Sequence, residues 1–136
     1  MNRLFLLLNQ ARSATRRRHD RLCQQKLGVS ALELVALWAL REPTPSTHLA
    51  KTLDVDNAAA TRLINQLVRK GLAARTSDPS DGRRRLVSRT DDGAAVASGG
   101  RDLVGLANAE LADTFSPEEL DVVARFLRHL ISLESR

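Results

Sequence analysis

Residues 49–93 read LAKTLDVDNAAATRLINQLVRKGLAARTSDPSDGRRRLVSRTDDG, and the punctuation of this stretch decides the fold. Leu49, Ala50 and Leu53 put one apolar stripe on a short helix, for which Ser46 is the expected N-cap. Asp54, Val55, Asp56 and Asn57 form a break dense in turn and cap residues. A second helix is predicted from about Asn57 to Lys70, closed by Gly71, because glycine accepts the backbone conformation found just past a helix end. Ala60, Leu63, Ile64 and Leu67 share one face of it. The opposite face carries Ala58, Thr61, Arg62, Asn65 and Arg69, with Asn57 at its start, and no acid lies between Asn57 and Lys70. Next comes a short strand, Leu72 to Thr76, then a turn-rich segment from Ser77 to Gly82, then a returning strand from Arg83 to Arg89.

Helix, tight break, helix and arginine-tipped hairpin, in that order, spell a winged helix-turn-helix. Such a unit places its second helix in a DNA major groove. There an arginine reads guanine and an asparagine reads adenine, and small polar side chains let the helix approach closely. The hairpin carries five arginines, at 75, 83, 84, 85 and 89, against two aspartates, Asp78 and Asp81. Arg83, Arg84 and Arg85 beside the turn suit the strong negative potential of a minor groove, or phosphates. The plainer reading of both features is a solvated helix face and a hairpin whose charges keep its edges from pairing with other chains.

The chain resembles the MarR family of bacterial transcriptional regulators. The resemblance rests on LAKTLDVDNAAATRLINQLVRKGLAAR and DPSDGRRRLVSRTDDG. Leu67 to Arg75 fits the family phrase that ends the helix-turn-helix. Asp78, Pro79, Asp81 and Arg83 fit its wing, with Asp78 and Asp81 as supports of the wing. Gly82 stands where the family has the first of two arginines, and Arg89 replaces the leucine of the phrase that opens a long helix. The flanks LGVSALELVALWAL and FSPEELDVVARFLRHL also fit, so the likeness covers nearly the whole chain.

Composition is consistent with this. A chain of 136 residues with 43% hydrophobic residues can bury one core. Aromatic residues make up 3% with no tyrosine, which argues against a stacking platform for single strands. Net charge is +5, and it is segregated: residues 1–27 hold seven Lys/Arg against one acid, whereas residues 91–136 hold four Arg against nine acids. A basic front turned toward a polyanion is implied. A single cysteine, Cys23, excludes an internal disulfide and fits a reducing, cytoplasmic setting. The apolar run Leu4 to Leu8 is shorter than the core of a secretion signal, and no segment approaches a membrane span.

The remainder reads as helices. Residues 2–25 form an amphipathic helix through Leu4, Leu7, Leu8, Ala11 and Leu22. Ser30 to Glu33 is a capping box opening a helix to about Arg41, and Pro43 and Pro45 break the chain before the helix-turn-helix. A long helix follows Thr90 to about Asp113. Ser116 to Glu119 is a second capping box, and the last helix carries Leu120, Val123, Phe126, Leu127, Leu130 and Ile131. The expected architecture is mainly α with a small β-hairpin wing. Residues 29–93 form the winged helix-turn-helix; residues 1–28 and 94–136 form a helical dimerisation region. The interface residues expected are Leu4, Leu7, Leu8, Phe126, Leu127 and Leu130, because stripes at both termini exceed what one small core needs. The alternative is a monomeric bundle.

No cofactor or metal motif is present: His19, His48 and His129 are scattered, and Asp91-Asp92 and Glu118-Glu119 are first-turn charges that suit helix N-termini. An enzyme is not expected. The resemblance implies a homodimer that binds double-stranded DNA at a pseudo-palindrome, acts as a repressor, and is released by a small aromatic or lipophilic effector. It would set Trp38 and adjoining arginines beside the effector, although a plain core role is the better explanation of Trp38. Three other readings stay open: an architectural DNA-binding protein without effector, a protein-interaction module, and a redox-responsive regulator acting through Cys23. The peroxide-sensing site of some family members is not reproduced, since Cys23 lies near the end of the first helix and tyrosine is absent.

Overall fold

The structure is a computed structural model that describes residues 2–135. Its elements run α1 (Asn2–Leu27), α2 (Ala31–Ala39), β1 (Thr44–Pro45), α3 (Ser46–Leu53), α4 (Asn57–Arg69), β2 (Ala73–Asp78), β3 (Asp81–Arg89), α5 (Asp91–Thr114) and α6 (Pro117–Glu134). Two compact units result, Met1–Gly100 and Arg101–Arg136.

The first unit has the core. Val29, Leu37, Leu40, Leu49, Ile64, Leu67 and Val87 are its largest fully buried side chains, drawn from α2 and its C-cap, α3, α4, β3 and the turn before α2. Each such side chain contributes about 1.5–3 kcal/mol relative to exposure. The apolar faces read from the sequence are therefore the faces that pack, and they fix the rotation of α4 about its axis. Residues near the start of α5 pack closely too. A Cβ added at Gly93 would strike the Leu72 carbonyl oxygen, and one at Gly100 would meet the Leu34 side chain.

Helix ends follow the expected chemistry at most joints. Ser30 Oγ accepts from Glu33 N at 3.0 Å while Glu33 Oε1 accepts from Ser30 N at 3.1 Å, completing the box that starts α2. Asp54 closes α3 in the left-handed region (φ 55), where the short polar side chain of an aspartate is tolerated. Asp56 Oδ1 accepts from Ala59 N at 2.7 Å and starts α4. Gly71 ends it at φ 74. Ser116 Oγ accepts from Glu119 N at 3.2 Å, one half of the expected box, with Pro117 opening α6.

Four details differ from the expectation. Ser46 is the first residue of α3 and Pro45 is its N-cap, without a side-chain bond. The reason is a third strand: Thr44 and Pro45 pair antiparallel with Val87 and Leu86, so extended backbone runs directly into the helix. Sheet order is β1-β3-β2, which leaves the proline on an edge strand, where a missing N–H is tolerated. α2 stops at Ala39 rather than Arg41, since Leu40 already leaves helical geometry. The hairpin strands run further than their sequence suggests, to Asp78 and from Asp81, so the tip is only Pro79-Ser80. α1 also reaches Leu27, two residues beyond its expected end.

Candidate nucleic-acid interface

α4 supplies the first half of the site. With Ala60, Leu63, Ile64 and Leu67 buried, Asn57, Ala58, Thr61, Arg62 and Arg69 are left exposed and Asn65 half-buried. Thr61 Oγ1 donates to the Asn57 carbonyl at 2.9 Å, so its hydroxyl proton stays within the helix. Arg62 and Arg69 have no hydrogen-bond or ion-pair partner among the described residues.

Asn65 is held from the wing. Arg75 Nη2, on β2, donates to Asn65 Oδ1 at 2.6 Å. The amide keeps its NH2 donor and one acceptor lone pair. Arg75 was legible only as one basic residue among five in the hairpin. Its position across from α4 makes it part of the helix face as well as of the wing.

The wing tip supplies the second half. Asp78 pairs with Asp81, but Ser77 pairs with Arg85, so Gly82, Arg83 and Arg84 fall between successive partners on an irregular stretch of β3. Such an irregularity re-aims side chains. Its physical cause lies in the tip: Pro79 and Ser80 do not have the positive φ of the turns that match strand twist. Asp78 Oδ1 accepts from Ser80 N at 2.9 Å and from Ser80 Oγ at 2.7 Å, and its other oxygen lies 3.8 Å from Arg84 Nη1. These Ser80 hydrogen bonds, more than the Arg84 charge, hold the Asp78 carboxyl below its ordinary pKa. Asp81 Oδ1 accepts from Arg83 N at 3.1 Å. The two aspartates thus shape the turn, and Arg83, Arg84 and Arg85 are exposed on it. Arg89 has a different task. Its Nη1 donates to the Leu37 carbonyl at 3.1 Å, placing a cation at the C-terminal end of α2, where the helix dipole favours one.

The other expected positions separate into two groups. Leu4, Leu7 and Leu127 are exposed and Leu8, Phe126 and Leu130 half-buried. None of the described residues from Arg101 to Ser135 is buried, and Ile131 is 70% exposed. Trp38, by contrast, is half-buried with its indole N–H donated to the Ala97 carbonyl at 2.9 Å. A cavity of about 360 Å³ opens elsewhere, lined by Ala39, Arg41, Glu42, Thr44, His48, Leu49 and Thr52. The Cys23 thiol is buried, and burial first and the nearby Asp20 charge second raise its pKa. Among the described residues no group of three or more His, Cys, Asp or Glu could hold a metal ion, and no helix is long and apolar enough to cross a membrane.

Comparison with known proteins matches these features. The MarR family profile matches residues 29–84. The multiple antibiotic resistance protein MarR of Escherichia coli is 30% identical over 137 residues, covering 96% of this chain and 90% of that protein. A mutant of the Escherichia coli MarR, solved in complex with operator DNA, superposes with a TM-score of 0.73 at 30% identity over 95% of this chain and 91% of that one. Streptococcus pneumoniae FabT, solved in complex with DNA, shares the fold at a TM-score of 0.86 and 18% identity, over 98% of this chain and 96% of that one.

Proposed function

This chain belongs to the MarR family of transcriptional regulators, and we propose that it is a repressor that binds a pseudo-palindromic operator as a homodimer and is released by a small effector. One observation carries the DNA contact: an exposed, acid-free face on α4 sits beside a wing from which Arg83, Arg84 and Arg85 project. α4 would enter the major groove, with Thr61, Arg62 and Asn65 toward base edges. Arg69 and the wing arginines would hold phosphates or the adjoining minor groove. This division of labour is that of a regulator; the chain is not an enzyme.

The dimer is argued from what remains wet. Leu4, Phe5, Leu6 and Leu7 of α1 are exposed, as are Val122, Val123, Leu127 and Ile131 of α6. Faces of this size are rare on a monomer. A second copy would cover them and set two α4 helices one DNA turn apart, which calls for a two-fold operator. In this reading residues 29–93 are the reading head, and residues 1–28 and 94–136 hold the dimer together. A regulator of this kind works where the DNA is, in the cytoplasm. An aromatic or lipophilic effector is supported by the family alone. The buried Cys23, its thiolate disfavoured, gives no support to redox control.

Selection of duplexes from a random pool by the intact protein, followed by footprinting, tests the reading. An inverted repeat protected on two successive turns of one DNA face is expected, with a dimer in sedimentation at micromolar concentration. A monomer that binds a single half-site at full strength would overturn it. Changing Leu127 and Leu130 to serine should yield monomers or insoluble protein.

A further inference from the structure

Glu33 is the charged side chain that folding buries among the described residues, 3% exposed, and its partner is the residue that ends α4. Lys70 Nζ donates to Glu33 Oε1 at 3.0 Å and Oε2 at 2.9 Å, and also to the Gly28 carbonyl at 3.1 Å. Gly28 is the left-handed residue, φ 69, at which α1 gives way to the turn before α2. Glu33 Oε1 also accepts from Ser30 N in the cap of α2. Asp20 Oδ1 of α1 accepts from Ala31 N at 2.9 Å beside them. One ammonium group therefore meets the end of α1, the start of α2 and the end of α4.

The pair is half-buried, with the Lys70 side chain 37% exposed and that of Glu33 4%, and such a pair adds little to stability. Desolvation cancels much of its attraction, and apolar replacements are often as stable. What such a pair fixes is geometry. Here it fixes the C-terminal end of α4, while the N-terminal residues Asn57, Ala58 and Thr61 stand exposed. A second tie holds the same end to the start of α5: Thr90 Oγ1 donates to the Gly71 carbonyl at 2.6 Å, and Thr90 N to the Leu72 carbonyl at 3.0 Å. Together with the packed face of Leu63, Ile64 and Leu67, these two ties set the tilt of the helix.

We propose that Lys70 is a positioning residue for DNA reading: gripping Glu33 and Gly28, it sets the tilt of α4 and makes that tilt follow the position of α1. The inference rests on α4 being the reading helix. Sequence preference then depends on the pair, whereas general attraction to DNA does not. Lys70 acts through the helix rather than by touching DNA.

Electrostatics makes the test sharp. Glu33→Gln removes a negative charge and keeps a residue suited to the cap. If charge alone mattered, this variant would bind every DNA slightly more tightly. The tie predicts the opposite for the preferred sequence. Affinity for a duplex selected by the native protein should fall about tenfold, in the usual range for coupled sites. Affinity for a scrambled duplex should hold or rise.

Lys70→Met should lower the same ratio, Lys70→Arg should restore most of it, and the Glu33→Gln/Lys70→Met double variant should lose little more than either single one. Hydrogen exchange without DNA gives a second readout: amides of the last turn of α4, Leu67 to Lys70, should exchange faster in Glu33→Gln and Lys70→Met while the core keeps its protection. An unchanged ratio with unchanged exchange would overturn the proposal, and so would equal loss on both duplexes. If the native protein prefers no sequence, the reading of α4 fails; exchange at its last turn then still decides whether Lys70 sets the helix end.

Discussion

Arg75 and Asn65 join the two halves of the surface proposed to face DNA: a 2.6 Å hydrogen bond from the β2 guanidinium to the α4 amide oxygen ties wing to helix. Asn65 thereby spends an acceptor lone pair on the protein and offers its NH2 to a base. Acceptors in the groove, such as N7 and O6 of guanine or N7 of adenine, suit what is left. Asn65→Ala should cost about 1–3 kcal/mol of discrimination at one base position. Arg75→Ala should weaken the same discrimination, because the amide is then free to rotate. In a double-mutant cycle on operator binding the two should couple by about 0.5 kcal/mol or more. Strict additivity would show that the bond does not organise the surface.

The wing prediction turns on Gly82. Its backbone is not left-handed, and a Cβ there would meet nothing within 4 Å. Gly82→Arg should therefore fold normally and add a cation beside Arg83. Its binding to any DNA should tighten at low salt, and the slope of log affinity against log salt should steepen by about one for each new phosphate contact. Arg83→Ala should do the reverse. If the native protein binds as the proposed dimer with roughly 6–10 phosphate contacts, affinity should fall by about 10³–10⁵ between 50 and 200 mM salt. Filter binding across that range is sufficient to check all three.

Asp78 gives the wing a pH dependence with a definite sign. Its pKa is lowered in the folded chain, chiefly by the Ser80 hydroxyl and amide. A lowered carboxylate contributes stability that is complete above its unfolded pKa and is lost as pH falls through the lowered value. Wing order should be constant from neutral pH down to the ordinary carboxylate range and fail only below it. Nuclear magnetic resonance of the Ser80 amide should show that late, acid-side transition. Asp78→Asn should loosen the turn at neutral pH, and its Ser80 amide should lack the transition.

Gly93 offers a test of packing. A Cβ at this position would collide with the Leu72 backbone oxygen, which cannot swing away. At Gly99 the nearest obstacle, 2.8 Å off, is the terminal Cδ2 of Leu27, a side chain that can rotate. Gly93→Ala should lose about 1–3 kcal/mol, as overpacked cores do, with a visibly lower Tm. Gly99→Ala should lose much less, since alanine also gains helix propensity. Equal melting temperatures for the two variants would contradict this account.

Much of this site is periodic and was readable for that reason. The buried and exposed faces of α4 follow a 3.6-residue repeat, so Leu63, Ile64 and Leu67 announce where Thr61 and Arg62 must point. The Ser30–Glu33 box and the stop at Gly71 are local chemistry and equally plain. What escaped has no local signal. A strand of two residues, Thr44-Pro45, has no repeat to detect. Arg75 on Asn65, Lys70 on Glu33 and Arg89 on Leu37 join residues far apart in sequence, and only the assembled core brings them together. The arginine in place of the family leucine at position 89 was visible, but its reach to the end of α2 was not.

The bond from Trp38 to the Ala97 carbonyl has a practical consequence. The chain has one tryptophan and no tyrosine, so its ultraviolet emission comes almost wholly from this indole between α2 and α5. Emission wavelength and quenching thus report on a single joint, without labels or engineered probes. A compound that loosens α5 at Ala97 would shift the spectrum toward the red in a cuvette, with no DNA or reporter gene in the assay.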